Sequence, residues 1–190
     1  MRNEQAGYLH LFAHNLRRRI PYAKTPNLAV RIRVHMGNDR ISTYLTIIGK
    51  VSIVSDADAV KAVYFPTENL PATESGTYPV MEEAASQLDE FLSGGRKDFT
   101  VPLSASGTGF QEEVWDAISE IPYGSTATYS EIASSIGRPG AARAVGTACR
   151  MNRIPFFIPC HRVVSVSGIG GYAGGLVLKR KILAIERDFS

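Results

Sequence analysis

The most informative segment of the sequence is Ile154-Pro155-Phe156-Phe157-Ile158-Pro159-Cys160-His161-Arg162-Val163. Its apolar run predicts a position in or beside a core, and it brings Cys160 and His161 there. The chain has only one other cysteine, Cys149, and its basic C-terminal tail carries the carboxylate Glu186. A Cys–His pair in such a segment, with an acidic residue downstream, indicates an activated thiolate.

Length and cysteine content limit the class of protein. A chain of 190 residues can bury a core as one domain or as two small ones. No stretch approaches the ~20 apolar residues that span a bilayer, and the N-terminus lacks a signal-peptide pattern. We therefore expect a cytoplasmic protein, or a nuclear one in a eukaryote, with reduced cysteines. No Cys-x-x-Cys occurs, and His10, His14, His35 and His161 lack ligand spacing, so we expect no metal site.

Charge is distributed unevenly along the chain. Residues 36–137 hold five Lys/Arg against fifteen Asp/Glu, whereas residues 138–190 hold nine against two. A basic C-terminal third suits contact with a phosphate backbone. The alternative is a solvated charged face, and charge alone favours that alternative.

The sequence predicts two domains after an extension. Residues 1–42 form a basic, Arg-rich extension without periodicity, which is a disordered arm, a targeting peptide or sequence upstream of the true translation start. Met36 is an alternative start, and we expect residues 1–35 to be dispensable. The segments that follow are an α/β domain at 43–95, a linker at 96–107 and a second domain at 108–190.

Periodicity predicts the elements of both domains. In the first domain it predicts a hairpin with strands at 44–48 and 51–54 around Gly49-Lys50, a strand at 60–65 and an amphipathic helix at 80–92. In the second it predicts short helices at 108–121, 128–136 and 141–151. Thr128 and Glu131 have capping-box spacing. The turn Gly137-Arg138-Pro139-Gly140 between the last two helices is typical of a helix-turn-helix.

The last of these helices has an unusual composition. Ala142, Ala144 and Gly146 are small enough to let the backbone approach a partner, and Arg143 and Arg150 project on one side, two turns apart. One interpretation is a tightly packed core helix with exposed arginines. The other is a recognition helix lying on DNA, which the basic C-terminal third favours.

Together these residues resemble a known family, the O6-alkylguanine-DNA alkyltransferases. The matching motifs are Phe110-Gln111-x-x-Val114-Trp115, Ile121-Pro122-Tyr123-Gly124, Thr128-Tyr129-x-x-Ile132-Ala133, Ala142-Arg143-Ala144-Val145-Gly146, Asn152, Ile158-Pro159-Cys160-His161-Arg162-Val163-Val164, Gly171-Tyr172-Ala173-Gly174-Gly175, Lys179 and Glu186. The likeness is dense over 108–187, looser over 46–95 and absent over 1–42.

The resemblance implies a fold and an activity. The fold would be α+β, with a small RNase-H-like N-terminal α/β domain and a C-terminal helical domain carrying a winged helix-turn-helix. The activity would be DNA repair by a single, irreversible transfer of the alkyl group from O6-alkylguanine, and from O4-alkylthymine, to Cys160. No cofactor is expected. The partner would be double-stranded DNA containing alkylated guanine, bound by a monomer, with no membrane.

The chemistry assigns roles to the catalytic candidates. Displacement at an alkyl carbon needs a strong nucleophile, and a free thiol with a pKa of about 8.5 is mostly protonated at neutral pH. His161 is expected to take the Cys160 proton through a water, and Glu186 to hold the imidazole. Asn152 is expected to tie the recognition helix to the active-site segment. By resemblance, Tyr129 donates to the base ring.

The resemblance also implies the residues that bind substrate and DNA. The backbone N–H of Ala173 would reach O6, the carbonyls of Cys160 and Val163 would accept from the exocyclic amine, and Tyr172 and Gly174 would belong to the pocket. Because the target atom lies inside the duplex, the nucleotide must be extruded. Arg143 would fill the space that it leaves. The DNA-binding set is Ala142, Arg143, Ala144, Gly146 and Arg150, which would lie in the minor groove.

Three departures and three rival functions remain open. Asn152-Arg153 stands where many members have Asn-Pro, Ala173 stands where some have Ser, and the ligands of an N-terminal zinc are missing. The first rival is a non-catalytic module that binds alkylated DNA, although such relatives lack the reactive cysteine. The others are a cysteine hydrolase with a Cys–His–Glu triad and a transcription regulator.

Overall fold

The computed structural model describes residues 38–66 and 68–190, and its fold is the predicted mixture of helices and sheet. The strands are β1 (Arg40–Thr46), β2 (Gly49–Ser55), β3 (Val60–Tyr64), β4 (Glu74–Ser75), β5 (Ala127–Thr128) and β6 (Val163–Val164). The helices are α1 (Pro79–Leu92), α2 (Gly109–Ser119), α3 (Tyr129–Ser135), α4 (Ala142–Met151) and α5 (Leu176–Asp188). Most of the predicted extension at 1–42 lies outside the described residues, and β1 includes its last three positions.

The first four strands form one sheet in the order β3-β2-β1-β4. The predicted hairpin is confirmed, since β1 and β2 pair antiparallel with Thr46 opposite Gly49. Its turn lies at Ile47-Ile48 rather than at the predicted Gly49-Lys50. The reason is that Thr46 Oγ1 donates to Gly49 O (2.8 Å), and Gly49 begins β2 at φ +106°, a conformation open to glycine.

Helix α1 covers the sheet, as its periodicity predicts. Its buried side chains recur at helical spacing and contact β2 and the neighbouring strands. They are Met81, Ala84, Gln87, Leu88, Phe91 and Leu92. The helix begins at Pro79, where a missing N–H costs nothing, and Gly94 follows its end at φ +82°.

The three predicted helices of the second half are confirmed as α2, α3 and α4, with ends that differ by at most two residues. Thr108 and Thr128 each close a capping box at the start of a helix. Trp115 Nε1 on α2 donates to Ala148 O on α4 (2.9 Å) in the buried interior. One side of helix α4 is therefore packed against α2, while its opposite side is exposed.

Helix α5 was not predicted from the sequence. The residues that it buries most completely are Lys179, Ile182 and Glu186. Their spacing is helical, but two of the three are charged, so the apolar periodicity that identifies a buried helical face is weak.

The active-site segment crosses the interior before it reaches Cys160. Residues 154–160 are all buried, and Phe156 has φ +72°, a conformation that is uncommon for a residue with a side chain. A 3-10 turn at Cys160–Arg162 leads directly into β6, which pairs parallel with β5. Since Tyr129 follows β5 and Cys160 precedes β6, this short ladder brings the two side chains to the same place.

The two predicted domains contact each other directly. Val63 N on β3 donates to Arg153 O (2.7 Å), and the rings of Phe65 and Phe156 pack edge to face at 5.6 Å. Val60 bonds Pro102 O and Ser104 N in the predicted linker. The described residues form one compact unit. The division at 43–95, 96–107 and 108–190 stays a prediction.

Candidate active site

Cys160 lies on the wall of a cavity of about 400 Å³. The other lining residues come from the start of α3, from the exposed side of α4 and from the loop before α5. They are Tyr129, Arg143, Gly146, Thr147, Cys149, Arg150, Gly171, Tyr172 and Ala173. The described structure thus gathers most of the predicted site residues around one thiol.

The Cys160 side chain is only 6% exposed. Burial raises the pKa of its thiol, while a hydrogen bond from Asn152 and the positive charge of Lys179 oppose that rise. Asn152 Nδ2 lies 3.3 Å from the sulfur. The resting thiol is therefore protonated at neutral pH, and its use as a nucleophile requires a base.

His161 is held in a buried ion-pair network. Its Nε2 lies 2.8 Å from Glu186 Oε1, and Arg162 Nε lies 3.0 Å from both oxygens of that carboxylate. Arg162 Nη1 also donates to Ile121 O (2.7 Å). All three side chains are almost fully buried, so the predicted His161–Glu186 contact exists and Glu186 is not a surface residue.

The pKa shifts define the charge of this network. Burial lowers the pKa of His161 and outweighs the hydrogen bond that its Nε2 donates to Glu186, which favours a neutral imidazole. Burial alone would raise the pKa of Glu186, but His161 and Arg162 together lower it, so the carboxylate is ionised. An ionised carboxylate only accepts, so Nε2 carries the hydrogen and Nδ1 presents a lone pair. Nδ1 has no hydrogen-bond partner among the described residues.

Asn152 connects α4 to the active-site segment, as the sequence predicts. Its Nδ2 donates to Ile158 O (2.9 Å), and its Oδ1 accepts from Ile154 N (2.9 Å). The side chain is buried and spans the turn that precedes Cys160. Arg153, which stands in place of the family's Pro, is exposed, and its carbonyl bonds Val63 N.

Tyr129 lines the cavity next to Gly146 of α4. Its hydroxyl accepts from Gly171 N (3.2 Å), and an added Cβ at Gly146 would lie 3.7 Å from its ring. Burial raises the pKa of Tyr129 and outweighs the bond from Gly171, so the phenol keeps its hydrogen. That hydrogen is available for donation to a bound molecule.

Lys179 is a site residue to which the sequence analysis gave no role. Its buried ammonium donates to Val163 O (2.6 Å) and to Gly171 O (3.0 Å). It therefore joins the strand after Cys160 to the loop that carries Tyr172. Burial lowers the pKa of Lys179, which the nearby thiols Cys160 and Cys149 oppose. The sequence did contain a signal for this role, because Lys179 lies seven residues before Glu186 and therefore on the same face of a helix.

Of the remaining residues that were predicted to bind substrate, some line the cavity and others do not. Tyr172 and Ala173 line the cavity, and the hydroxyl of Tyr172 is buried. The Val163 carbonyl, predicted to accept from a base, already accepts from Lys179. Gly174 does not line the cavity, because it packs against Phe65, whose ring would lie 3.0 Å from an added Cβ.

The predicted DNA-binding residues on α4 also divide into two groups. Arg143, Gly146 and Arg150 line the cavity, whereas Ala142 and Ala144 do not. Both arginines are exposed, and neither forms an ion pair with another residue of the described part of the chain. Their charge is available to an external partner.

Within 38–66 and 68–190, no three His, Cys, Asp or Glu side chains lie together in a way that could hold a metal ion. Over the same residues, none of the helices has both the length and the apolar character needed to cross a membrane.

Comparison with known proteins gives consistent matches. The family model described as 6-O-methylguanine DNA methyltransferase, DNA binding domain, matches residues 109–188. The constitutive methylated-DNA–protein-cysteine methyltransferase of Bacillus subtilis (strain 168) is 39% identical over 155 residues, spanning 77% of this chain and 94% of that protein. The methylated-DNA–protein-cysteine methyltransferase of Mycobacterium leprae (strain TN) is 42% identical over 144 residues, spanning 75% and 86%.

Solved structures agree with these matches. The crystal structure of Mycobacterium tuberculosis OGT in complex with DNA superposes with a TM-score of 0.75 at 36% identity, covering 80% of this chain and 94% of that one. The structure of an O6-methylguanine DNA methyltransferase from Methanococcus jannaschii, at 24% identity and a TM-score of 0.58, shares the fold.

Proposed function

The chain belongs to the methylated-DNA–protein-cysteine methyltransferase family, and from that premise we propose that it repairs DNA by moving an alkyl group from O6 of guanine to Cys160. The transfer is stoichiometric and irreversible, because the product is a thioether on the protein. O4-alkylthymine is proposed as a second substrate. The observation that carries the proposal is the cavity in which the Cys160 thiol lies beside the His161–Glu186 pair.

The proposed chemistry begins with loss of the thiol proton. His161 Nδ1 accepts that proton through a water, and the resulting imidazolium is stabilised by Glu186, which accepts from Nε2. The thiolate then attacks the alkyl carbon. A sulfur–carbon bond forms, the carbon–O6 bond breaks, and its electron pair stays with guanine. Arg162 keeps Glu186 ionised throughout.

The leaving guanine carries negative charge, so hydrogen-bond donors around it lower the barrier. We assign the Tyr129 hydroxyl to the base ring and the Ala173 N–H to O6. The carbonyls of Cys160 and Val163 are assigned to the exocyclic amine. Val163 O already accepts from Lys179, but a carbonyl oxygen has two lone pairs and can accept again.

DNA binding is assigned to α4 and its neighbours. We assign the second half of the chain to a winged helix-turn-helix, which is supported by the α3–α4 pair and by the turn at Ser165–Gly168 after β6. We assign the sheet domain that precedes it in the chain to an RNase-H-like fold. In this assignment α4 enters the minor groove, the damaged nucleotide is extruded into the cavity, and Arg143 fills the gap. The substrate implies a monomer working where the cell keeps its DNA, in the cytoplasm or the nucleus.

Stoichiometry separates this proposal from its rivals. With an excess of methylated duplex, we expect each protein molecule to consume one alkyl group and then stop. A non-catalytic binding module would consume none, and a cysteine hydrolase would continue to turn over. A transcription regulator would instead prefer one DNA sequence in competition experiments at fixed salt.

Replacing Arg143 with alanine is expected to slow transfer from a methylated duplex by about 30- to 100-fold, because extrusion of a base costs a few kcal/mol. Transfer from free O6-benzylguanine should change little, because nothing has to be extruded. Single-turnover rates on both substrates measure the effect. Arg138→Ala is the matched control, since that exposed arginine pairs with Glu113 away from the cavity. Equal slowing on both substrates would contradict the assignment of Arg143 to extrusion.

A further inference from the structure

We propose that the hydroxyl of Tyr172 and Nδ1 of His161 together hold the water that receives the Cys160 proton, which makes Tyr172 a positioning residue for the proton transfer. The inference rests on the proposed function, in which the thiol must lose a proton to His161. It adds a side-chain role at a position that the sequence analysis treated only as part of the pocket wall.

The first observation is a pair of unsatisfied polar atoms. Among the described residues, four buried side-chain atoms lack a hydrogen-bond partner: Ser55 Oγ, the Tyr123 hydroxyl, His161 Nδ1 and the Tyr172 hydroxyl. Two of these four belong to side chains beside the reactive thiol. Buried polar groups are normally paired, and a buried group left without a partner costs about 1–3 kcal/mol. Two such atoms on rings that pack against each other therefore indicate a shared partner.

The second observation is the relative placement of the two rings. The imidazole of His161 and the ring of Tyr172 lie edge to face, with centroids 6.3 Å apart and an interplanar angle of 86°. The ring of Phe65 also packs edge to face against that of Tyr172, with centroids 5.5 Å apart, which restricts movement of the tyrosine. The two polar atoms are thus fixed within one small buried region rather than free to find solvent.

The third observation is that neither atom bonds the other or the sulfur directly. Within the described residues, no hydrogen bond joins the Tyr172 hydroxyl to His161 or to Cys160. Two polar groups that are too far apart for a direct hydrogen bond are commonly bridged by a water molecule, which needs two to four polar partners. His161 Nδ1, the Tyr172 hydroxyl and Cys160 Sγ supply three.

The charge states fit this role. Nε2 donates to Glu186, so Nδ1 accepts a hydrogen from the water. Burial, together with the negative groups Cys160, Glu68 and Glu186, holds the pKa of Tyr172 well above its usual value, so the phenol keeps its hydrogen and can donate or accept. The cations facing the imidazole are Arg162 and Lys179. Neither can accept a proton from the water, so His161 is the acceptor that the network offers.

The proton transfer that follows is balanced. The S–H bond of Cys160 breaks, and its proton passes to the water oxygen. One of the water's own protons passes to His161 Nδ1, which regenerates the water and leaves a thiolate beside an imidazolium. Tyr172 gains and loses no proton, because its hydroxyl only fixes the position of the water.

The test compares Tyr172→Phe with the wild type and with Tyr64→Phe. Tyr64 is the matched control because it does not line the cavity. Its side chain packs instead against Ile41, Val54 and Ala62. Two reactions are followed across pH: single-turnover transfer from a methylated duplex, and alkylation of Cys160 by iodoacetamide without DNA. The second reaction reports on the thiol even if the duplex is not a substrate.

We expect Tyr172→Phe to lower both rates by about 10- to 100-fold near neutral pH, which is a part of the ~10²–10⁴-fold that a general base contributes, because His161 itself is retained. The deficit should shrink as the pH rises, because the thiolate then forms without His161. Tyr64→Phe should behave as the wild type. A Tyr172→Phe protein with wild-type rates, or with a deficit that is equal at every pH, would overturn the proposal.

A high-resolution crystal structure of the wild-type protein provides a test that does not depend on how the variant folds. We expect one ordered water within hydrogen-bond distance of both His161 Nδ1 and the Tyr172 hydroxyl. A site without that water would overturn the inference. If Tyr172→Phe slows the iodoacetamide reaction as expected but the wild type takes no methyl group from DNA, the proposed function fails while the role of Tyr172 stands.

Discussion

The Glu186→Gln variant is expected to lose about 3–5 kcal/mol of stability, the range measured when one partner of a buried ion pair is removed. Glu186 accepts from both His161 and Arg162 with no exposed surface. Glutamine keeps the shape but turns one acceptor oxygen into an NH₂ group that faces other donors. The buried guanidinium of Arg162 then has no counter-charge. Urea unfolding measures the loss.

The same variant is expected to transfer the alkyl group at least about 100-fold more slowly, within the range of general-base effects. Without the carboxylate, the imidazolium that forms at His161 is not stabilised. The matched control is Asp188→Asn, two residues along α5, because that carboxylate pairs with Arg187 at the surface, where ion pairs contribute about 0–1 kcal/mol. Wild-type stability and rate in Glu186→Gln would contradict the assigned role of the network.

Acid should destabilise the wild type through this network. The pKa of His161 is lowered from 6.5, so the unfolded chain binds a proton first as pH falls below about 6.5, and stability declines. The pKa of Glu186 is lowered from 4.5, so its contribution is present above about 4.5 and is lost as pH falls further. In Glu186→Gln the second loss should disappear while the first remains. Unfolding midpoints across this range measure both.

The Lys179→Met variant is expected to show the second large effect. Methionine fills a similar volume but cannot donate to Val163 O and Gly171 O, so two carbonyls lose a buried partner. Each unsatisfied group costs about 1–3 kcal/mol. The charge that lowers the pKa of Cys160 is also removed. We expect transfer near neutral pH to slow by about 10- to 100-fold, since each pKa unit corresponds to about 1.4 kcal/mol.

The pH profile of thiol alkylation separates the effect of the lost charge from the effect of the two lost hydrogen bonds. The apparent pKa of Cys160 should rise in Lys179→Met, so that much of the reactivity returns in alkaline solution. Lys181→Met is the control, because that lysine lies two residues along α5 and bonds Ile47 O at the surface. An unchanged pH profile in Lys179→Met would show that its charge does not act on the thiol.

Local rules were sufficient to predict much of this molecule from the sequence. The capping box at Thr128 was predicted from its spacing, because the side-chain and backbone donors that it satisfies lie within four residues. The β1–β2 hairpin follows from alternation around a glycine. Cys160, His161 and Glu186 were identified as candidates from their chemistry, whereas the substrate-binding residues were inferred from the resemblance to the family.

Features that depend on distant contacts could not be predicted in the same way. The β5–β6 ladder has two residues per strand, too few to show a period, yet it brings Tyr129 to Cys160. Helix α5 buries Lys179 and Glu186, which a hydropathy pattern assigns to the surface. The packing of Gly174 on Phe65 depends on a contact across more than a hundred residues of chain.

The most direct test of the account is the mass of the peptide that contains Cys160 after the protein is incubated with a duplex carrying O6-methylguanine. We predict one methyl group on that peptide, no methyl on the Cys149 peptide, and an equal loss of methyl from the DNA. The Cys160→Ala variant should bind the duplex and take nothing. An unmodified Cys160 peptide, or a methyl group on another residue, would contradict the central claim.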